Sequence, residues 1–188
     1  MIEDVYNKNS LENGYILDQK TLGKARYGLL GTGADNGCGP IAVYNACVKF
    51  GIPCRFKDIY QYFSKKGTLF FGLLGTSPLS VITFFKKMTA QSKASIYFNP
   101  DKVKKHRAYI LLGIGLARIH KRKAAFYGHY QFIERPDEDL WMLYNPGIIK
   151  TGSLKQYIRQ GTIRRFIFCL VIGLDAEGSI NDDQWRAL

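Results

Sequence analysis

The chain has 188 residues, of which 46% are hydrophobic and 22% charged, and carries a net charge of +12. That length makes one domain able to bury a core, and the composition excludes a disordered or fibrous chain. Four cysteines with no close C-x-x-C pair exclude a secreted disulfide scaffold and a structural zinc finger.

In chain order, residues 1–30 are mixed and weakly patterned and are read as an N-terminal arm. They carry Glu3, Asp4, Glu12 and Asp18 and no apolar h-region, so a cleaved export signal is not expected. Gly31 to Gly39 is a glycine-rich loop. Residues 40–50 read as a helix, with Pro40 in the first turn and Gly51 and Pro53 as stops. Its apolar residues fall on two faces, which predicts a buried helix. Lys57–Lys66 and Leu79–Thr89 read as further helices, separated by the apolar, glycine-punctuated loop Thr68 to Thr76, suited to wall a cleft. Strands are predicted at Ala94–Phe98, Ala108–Ile114, Ala125–Glu134, Leu140–Tyr144 and Arg165–Gly173, with a short helix at Leu154–Gln160. The longest apolar run, Ala108 to Ala117, is half of what a bilayer requires, so a cytoplasmic protein is expected. Helices first and strands second indicate a single α+β domain over 1–188 with an antiparallel sheet. Residues 175–188 form an acidic tail.

The charge is unevenly spread. Residues 36–100 hold eight Lys/Arg against one Asp/Glu, and residues 101–165 hold fourteen against five. A basic body attracts acidic peptides, nucleic acid or anionic membrane, and also serves as a solvated surface. No nucleic-acid motif accompanies the run Arg118-Ile119-His120-Lys121-Arg122-Lys123, so nucleic acid is not the expected partner.

Cys38 stands in Asp35-Asn36-Gly37-Cys38-Gly39-Pro40, in a glycine loop at a helix start. Free N–H groups and the positive end of a helix favour a thiolate, and they can also hold an oxyanion. Flanking Gly37 and Gly39 are read as room for a substrate backbone. A dinucleotide fingerprint competes for this loop, but the glycine spacing is one residue too long and the later strands do not alternate with helices. Of the three histidines, His106 and His120 lie in basic runs and are expected to be exposed. His129 lies in the strand segment Gly128-His129-Tyr130-Gln131-Phe132, with a glycine leaving its face open. If Glu134 closes against Leu140 around a turn at Asp137, His129 sits opposite Asn145. Its amide oxygen then takes one ring proton and aims the other nitrogen elsewhere.

With Asn36-Gly37-Cys38-Gly39-Pro40-Ile41-Ala42, Gly128-His129-Tyr130-Gln131-Phe132 and Tyr144-Asn145-Pro146 in this order, the sequence resembles the papain-like cysteine peptidases. It is most similar to the compact bacterial branch that includes the double-glycine leader peptidase domains of bacteriocin exporters. The likeness spans roughly residues 30–173. It implies a papain-like fold with the nucleophile on a buried helix packed on the sheet. It also implies a Cys38–His129–Asn145 triad cleaving peptide or amide bonds through an acyl-enzyme, with no cofactor and no metal. The same site with water excluded would be an acyltransferase, and without catalysis a papain-like binding module. Where the family usually carries an oxyanion Gln, this chain has Thr32, so Asn36 and Thr32, beside Gly37, are the candidate donors. Asn145 stands where close bacterial relatives often carry Asp. The implied partner is a peptide or protein substrate, acidic if the basic surface recognises it.

Overall fold

The computed structural model of the chain describes residues 14–88, 92–119, 123–160 and 166–176. A short ribbon, β1 (Arg26–Tyr27) with β2 (Gly31–Thr32), leads into α1 (Gly33–Asn36), α2 (Cys38–Phe50), α3 (Phe56–Lys66) and α4 (Pro78–Met88). The rest is β3 (Lys93–Tyr97), β4 (Ala108–Ile119), β5 (Lys123–Asp137), β6 (Leu140–Tyr144), β7 (Ile148–Thr151), α5 (Leu154–Gln160) and β8 (Phe166–Asp175). The long strands form one antiparallel sheet in the order β3-β8-β4-β5-β6-β7. The fold is α+β, with helices packed on an antiparallel sheet. No described helix is long and apolar enough to cross a membrane.

The central helix α2 has every residue from Cys38 to Cys47 buried, which is what apolar residues on both faces require. It stops at Gly51, whose φ of 66° lets its N–H return to the carbonyls of Cys47 and Val48. One face of the sheet meets α2 through Leu112, Tyr130, Phe132 and Leu170. The opposite face carries Tyr109, Leu111, Ile133 and Leu143 under Leu154 and Ile158 of α5. Period-two alternation therefore gives β5 two faces, Tyr130 and Phe132 toward α2, Gln131 and Ile133 toward α5.

The described part of the N-terminal arm belongs to the core. Tyr15, Ile16 and Leu22 pack with α2, and the buried Asn45 accepts the Ile16 N–H at 2.9 Å and donates to its carbonyl at 3.0 Å. Glu134 of β5 ties four elements together. It accepts from Tyr15 Oη at 2.8 Å and Tyr144 Oη at 2.7 Å, and pairs with Lys49 Nζ at 2.8 Å. Burial raises its pKa, but Lys49, Tyr144 and Tyr15 together outweigh burial and hold it below the ordinary carboxylate value. A carboxylate whose folded value is depressed stabilises fully above its unfolded value and loses that contribution as pH falls through the folded one. Glu134→Gln is expected to cost about 1–2 kcal/mol at neutral pH. In urea melts against pH, the gap to wild type should narrow below pH 4. A constant gap down to acid would mean that the cluster is not held by charge.

The observed elements depart from the sequence reading at several points, the first being α1 and the opening of α2, which occupy the expected loop Gly31 to Gly39. Strands β4 and β5 run longer than expected, and β7 was not foreseen. The β5–β6 hairpin is the consequential one. A turn at Asp137 with Glu134 against Leu140 would pair His129 with Asn145. Instead Phe132 pairs with Tyr144, Ile133 with Leu143 and Glu134 with Met142, and the register shifts before Asp137 meets Leu140. Pro136 has no N–H for the ladder, and Arg135 folds over the Trp141 ring at 4.9 Å while donating to the Glu138 carbonyl. His106 is a further correction. Its side chain is 9% exposed, with Nδ1 on Asp175 and Nε2 on Tyr97 Oη, each at 2.7 Å. The neighbouring Lys104 and Lys105 are exposed, and their charge misled the reading of the histidine between them and Arg107. His120, Arg165, Thr89, residues 1–13 of the arm and residues 177–188 of the tail lie outside the described residues.

Candidate active site

Cys38 is the first residue of α2, with Gly37 as its N-cap. Its thiol is buried, at 3% residue exposure. Burial is the largest influence and pushes its pKa up; the backbone N–H groups of Tyr130, Gly39 and Cys38 itself act against that, by hydrogen bonding the charged form. The helix start does supply donors, but desolvation outweighs them, so the expectation of a lowered thiol pKa is corrected. The Tyr130 N–H places the sulfur at the edge of β5, one residue along the backbone from His129.

That edge is open for a reason. The β5–β6 ladder ends at Phe132 with Tyr144, where β6 turns away through Asn145 and a cis bond to Pro146. Asn145 takes a left-handed backbone (φ 74°), which asparagine tolerates better than most side chains. Its main-chain carbonyl then accepts from His129 Nε2 at 2.8 Å and from Gln131 Nε2 at 3.2 Å. A carbonyl oxygen only accepts, so Nε2 carries a proton, and in a neutral ring the lone pair would lie on the buried Nδ1.

The Asn145 side chain does not face the histidine. Its Oδ1 accepts the Gln19 N–H at 3.2 Å and its Nδ2 points to Gln19 Oε1 at 3.5 Å. The reading of an amide oxygen holding the imidazole is therefore corrected to a backbone oxygen, and the cause is the shifted register. Three side chains that complete this arrangement were not foreseen. Tyr157 of α5 donates to Gln131 Oε1 at 2.8 Å, fixing which end of that amide points at Asn145. Gln19 donates from Nε2 to the Ala34 carbonyl at 2.8 Å, linking the Asn145 turn to α1, just before Cys38. Each partnership spans 14 to 126 residues of chain, beyond any local pattern.

Of the other candidates, Thr32 serves as the N-cap of α1. Its Oγ1 accepts the Asp35 N–H at 3.3 Å and donates to the Asp35 carboxylate at 2.6 Å. Asn36 lines the cleft beside Cys38, and so does Gly128, whose Cα has open space around it. Gly37 and Gly39 have a different origin from the one expected. A Cβ on Gly37 would meet Leu22 Cδ1 at 2.4 Å, and one on Gly39 would meet Thr76 Oγ1 at 2.1 Å. Close packing, rather than room for a substrate, excludes side chains there. Cys47, Cys54 and Cys169 are free thiols, with Cys47 wholly inside the core.

The cleft over Cys38 has a volume of ≈ 460 Å³. Its walls are largely apolar, formed by Leu69, Leu73, Leu74, Pro78, Leu112 and Ile114, and its polar lining comes from Asp35, Asn36, Thr76 and Tyr130. The loop Thr68 to Thr76 does wall this cleft. Among the described residues, no group of three His, Cys, Asp or Glu side chains could hold a metal ion. No protein-family profile matches the chain, and no curated protein matches it in sequence.

Proposed function

We propose that the protein is a papain-like thiol hydrolase that cleaves peptide or amide bonds flanked by apolar groups. The observation that supports it best is the Cys38 thiol set against the backbone N–H of Tyr130, the residue after His129, at the open edge of β5. Cys38 opens α2 against the Tyr130 N–H, and the preceding His129 has its tautomer fixed by the Asn145 carbonyl. An apolar cleft opens over the sulfur.

In this reading His129 Nδ1 takes the Cys38 proton as sulfur attacks the carbonyl carbon. The oxyanion is met by the Cys38 N–H and the Asn36 amide. The tetrahedral intermediate collapses, the C–N bond breaks, and the imidazolium returns its proton to the leaving amine. Water, deprotonated by the same ring, then releases the acid and frees the thiol. Because burial keeps the resting thiol protonated, proton transfer accompanies attack rather than preceding it. The side chains that orient the ring, Gln131 and Tyr157, are positioning residues acting through Asn145.

A second reading has its own support. The raised thiol and the engagement of Thr32 by Asp35 suit a non-catalytic binding module on the same scaffold. Peptidyl acyloxymethyl ketones separate the two. An enzyme should acquire one equivalent of label on Cys38, faster by about tenfold or more for Leu or Phe than for Asp beside the warhead. Intact mass and peptide mapping read the site. No adduct with any of these probes, in protein shown to be folded, would sink the hydrolase and leave the binding module.

A further inference from the structure

We propose that the rim of the cleft is a docking surface for an anionic lipid bilayer. Two loops build it. Leu29 and Leu30 cap the β1–β2 ribbon, and Phe70, Phe71, Leu73 and Leu74 form the opposite lip, all of them exposed, with Phe70 at 69% and Phe71 at 65%. The loops are joined, because the N–H groups of Leu29 and Leu30 both donate to the Phe71 carbonyl, at 2.8 and 3.0 Å. Six large apolar side chains held outward at one place form a patch of the kind that marks an interaction site.

The outward display is built into the backbone. Phe70 and Phe71 both adopt left-handed conformations, φ 46° and 57°, which phenylalanine ordinarily avoids. Gly72 behind them permits the close approach, since a Cβ there would sit 2.2 Å from the Tyr27 carbonyl oxygen. Thr68 pairs with Thr76 across the base of the loop, and Leu69 N–H donates to the Gly75 carbonyl at 2.9 Å. The phenylalanines are thus fixed away from the core.

Charge selects the occupant. Residues 24–88, which contain both loops, hold nine Lys/Arg against two Asp. The end of α3 touches the loops, with Ser64 Oγ accepting the Gly28 N–H at 2.9 Å. The exposed Lys65 and Lys66 follow directly, and the exposed Arg26 stands at the base of the other loop. Apolar knobs with Arg26, Lys65 and Lys66 beside the loops match a surface of anionic headgroups over acyl chains. A second copy of the chain in an isologous contact would instead bring the same cations face to face. The surface shares Leu73 and Leu74 with the cleft over Cys38, so a substrate presented at a membrane would reach that cleft directly.

The test is co-sedimentation of the full chain with two kinds of vesicle, phosphatidylcholine doped with phosphatidylglycerol and phosphatidylcholine alone. Binding to the doped vesicles is expected to weaken with added salt. Phe71→Asn, which keeps a residue tolerant of the left-handed backbone, and Leu74→Ser should each weaken it about tenfold or more. Lys65→Glu with Lys66→Glu should weaken it similarly by removing two favourable charges and adding two unfavourable ones. All four positions are exposed, so thermal melts should stay near wild type. Cys38→Ala should bind as wild type does, which keeps this result separate from the hydrolase reading. The proposal is overturned if neither vesicle sediments the protein, if doped and undoped vesicles bind alike, or if the wild type self-associates and the Phe71→Asn change abolishes that instead.

Discussion

His129→Ala is expected to slow iodoacetamide labelling of Cys38 near neutral pH by about 10²–10⁴-fold, the usual contribution of a positioned general base. The direction follows from the thiol. Burial raises its pKa above the ordinary value of 9.0, so without a base the reactive thiolate grows about tenfold per pH unit well into the alkaline range. With His129 accepting the proton during attack, the wild-type profile should level off at lower pH. Peptide mapping confines the signal to Cys38 and removes the contribution of Cys54 and Cys169, which are partly exposed. The companion variant is Asn145→Gly. It keeps the backbone carbonyl and accepts φ 74°, and it loses only the amide contacts with Gln19. Labelling in Asn145→Gly should stay within about tenfold of wild type, whereas a side-chain triad would lose about as much as His129→Ala. Parallel profiles for wild type and His129→Ala would remove His129 from the chemistry. A collapse in Asn145→Gly with an unchanged melt would restore the amide side chain to the role the carbonyl holds here.

The contrast between amide and carbonyl shows what was legible in the sequence and what was not. Features set by neighbouring residues could be read. Gly51 and Gly67 stop α2 and α3 where expected, and Leu140–Tyr144 and Leu154–Gln160 form the elements their patterns indicate. The loop Thr68 to Thr76 lines the cleft, as its glycine-punctuated apolar run indicates. Features set by contact across the fold could not. The hairpin register turns on Arg135 stacking over Trp141, which no turn rule includes. Gln131 looked like an ordinary strand residue, and its value comes from Tyr157 and the Asn145 carbonyl meeting it at one point. His106 sits among charged neighbours that suggest exposure, although its partners Tyr97 and Asp175 lie on β3 and β8. Strand β7 follows a Pro-Gly turn so closely that only its pairing with β6 identifies it.

The glycines beside Cys38 give the sharpest test of packing. Gly39→Ala is expected to destabilise the protein by about 3 kcal/mol, at the upper end of overpacking costs. The added Cβ would lie 2.1 Å from Thr76 Oγ1 and 2.4 Å from Thr76 Cβ, and that threonine has little freedom to yield. Its hydroxyl bonds Tyr27 Oη at 2.6 Å, and its carbonyl takes the Tyr130 hydroxyl at 3.0 Å. Relief therefore requires α2 to move as a body, carrying Cys38 away from the Tyr130 N–H. For a chain of this size the melting temperature should fall by about 10 °C. Gly128→Ala is the matched control, because a Cβ there meets nothing within 4 Å. It should melt within about 2 °C of wild type while narrowing the cleft that Gly128 lines. The two alanines thus separate a glycine required by the core from one that leaves a cleft open. If Gly39→Ala melts with wild type, α2 does not seat against Thr76 as described, and the burial that raises the Cys38 thiol goes with it.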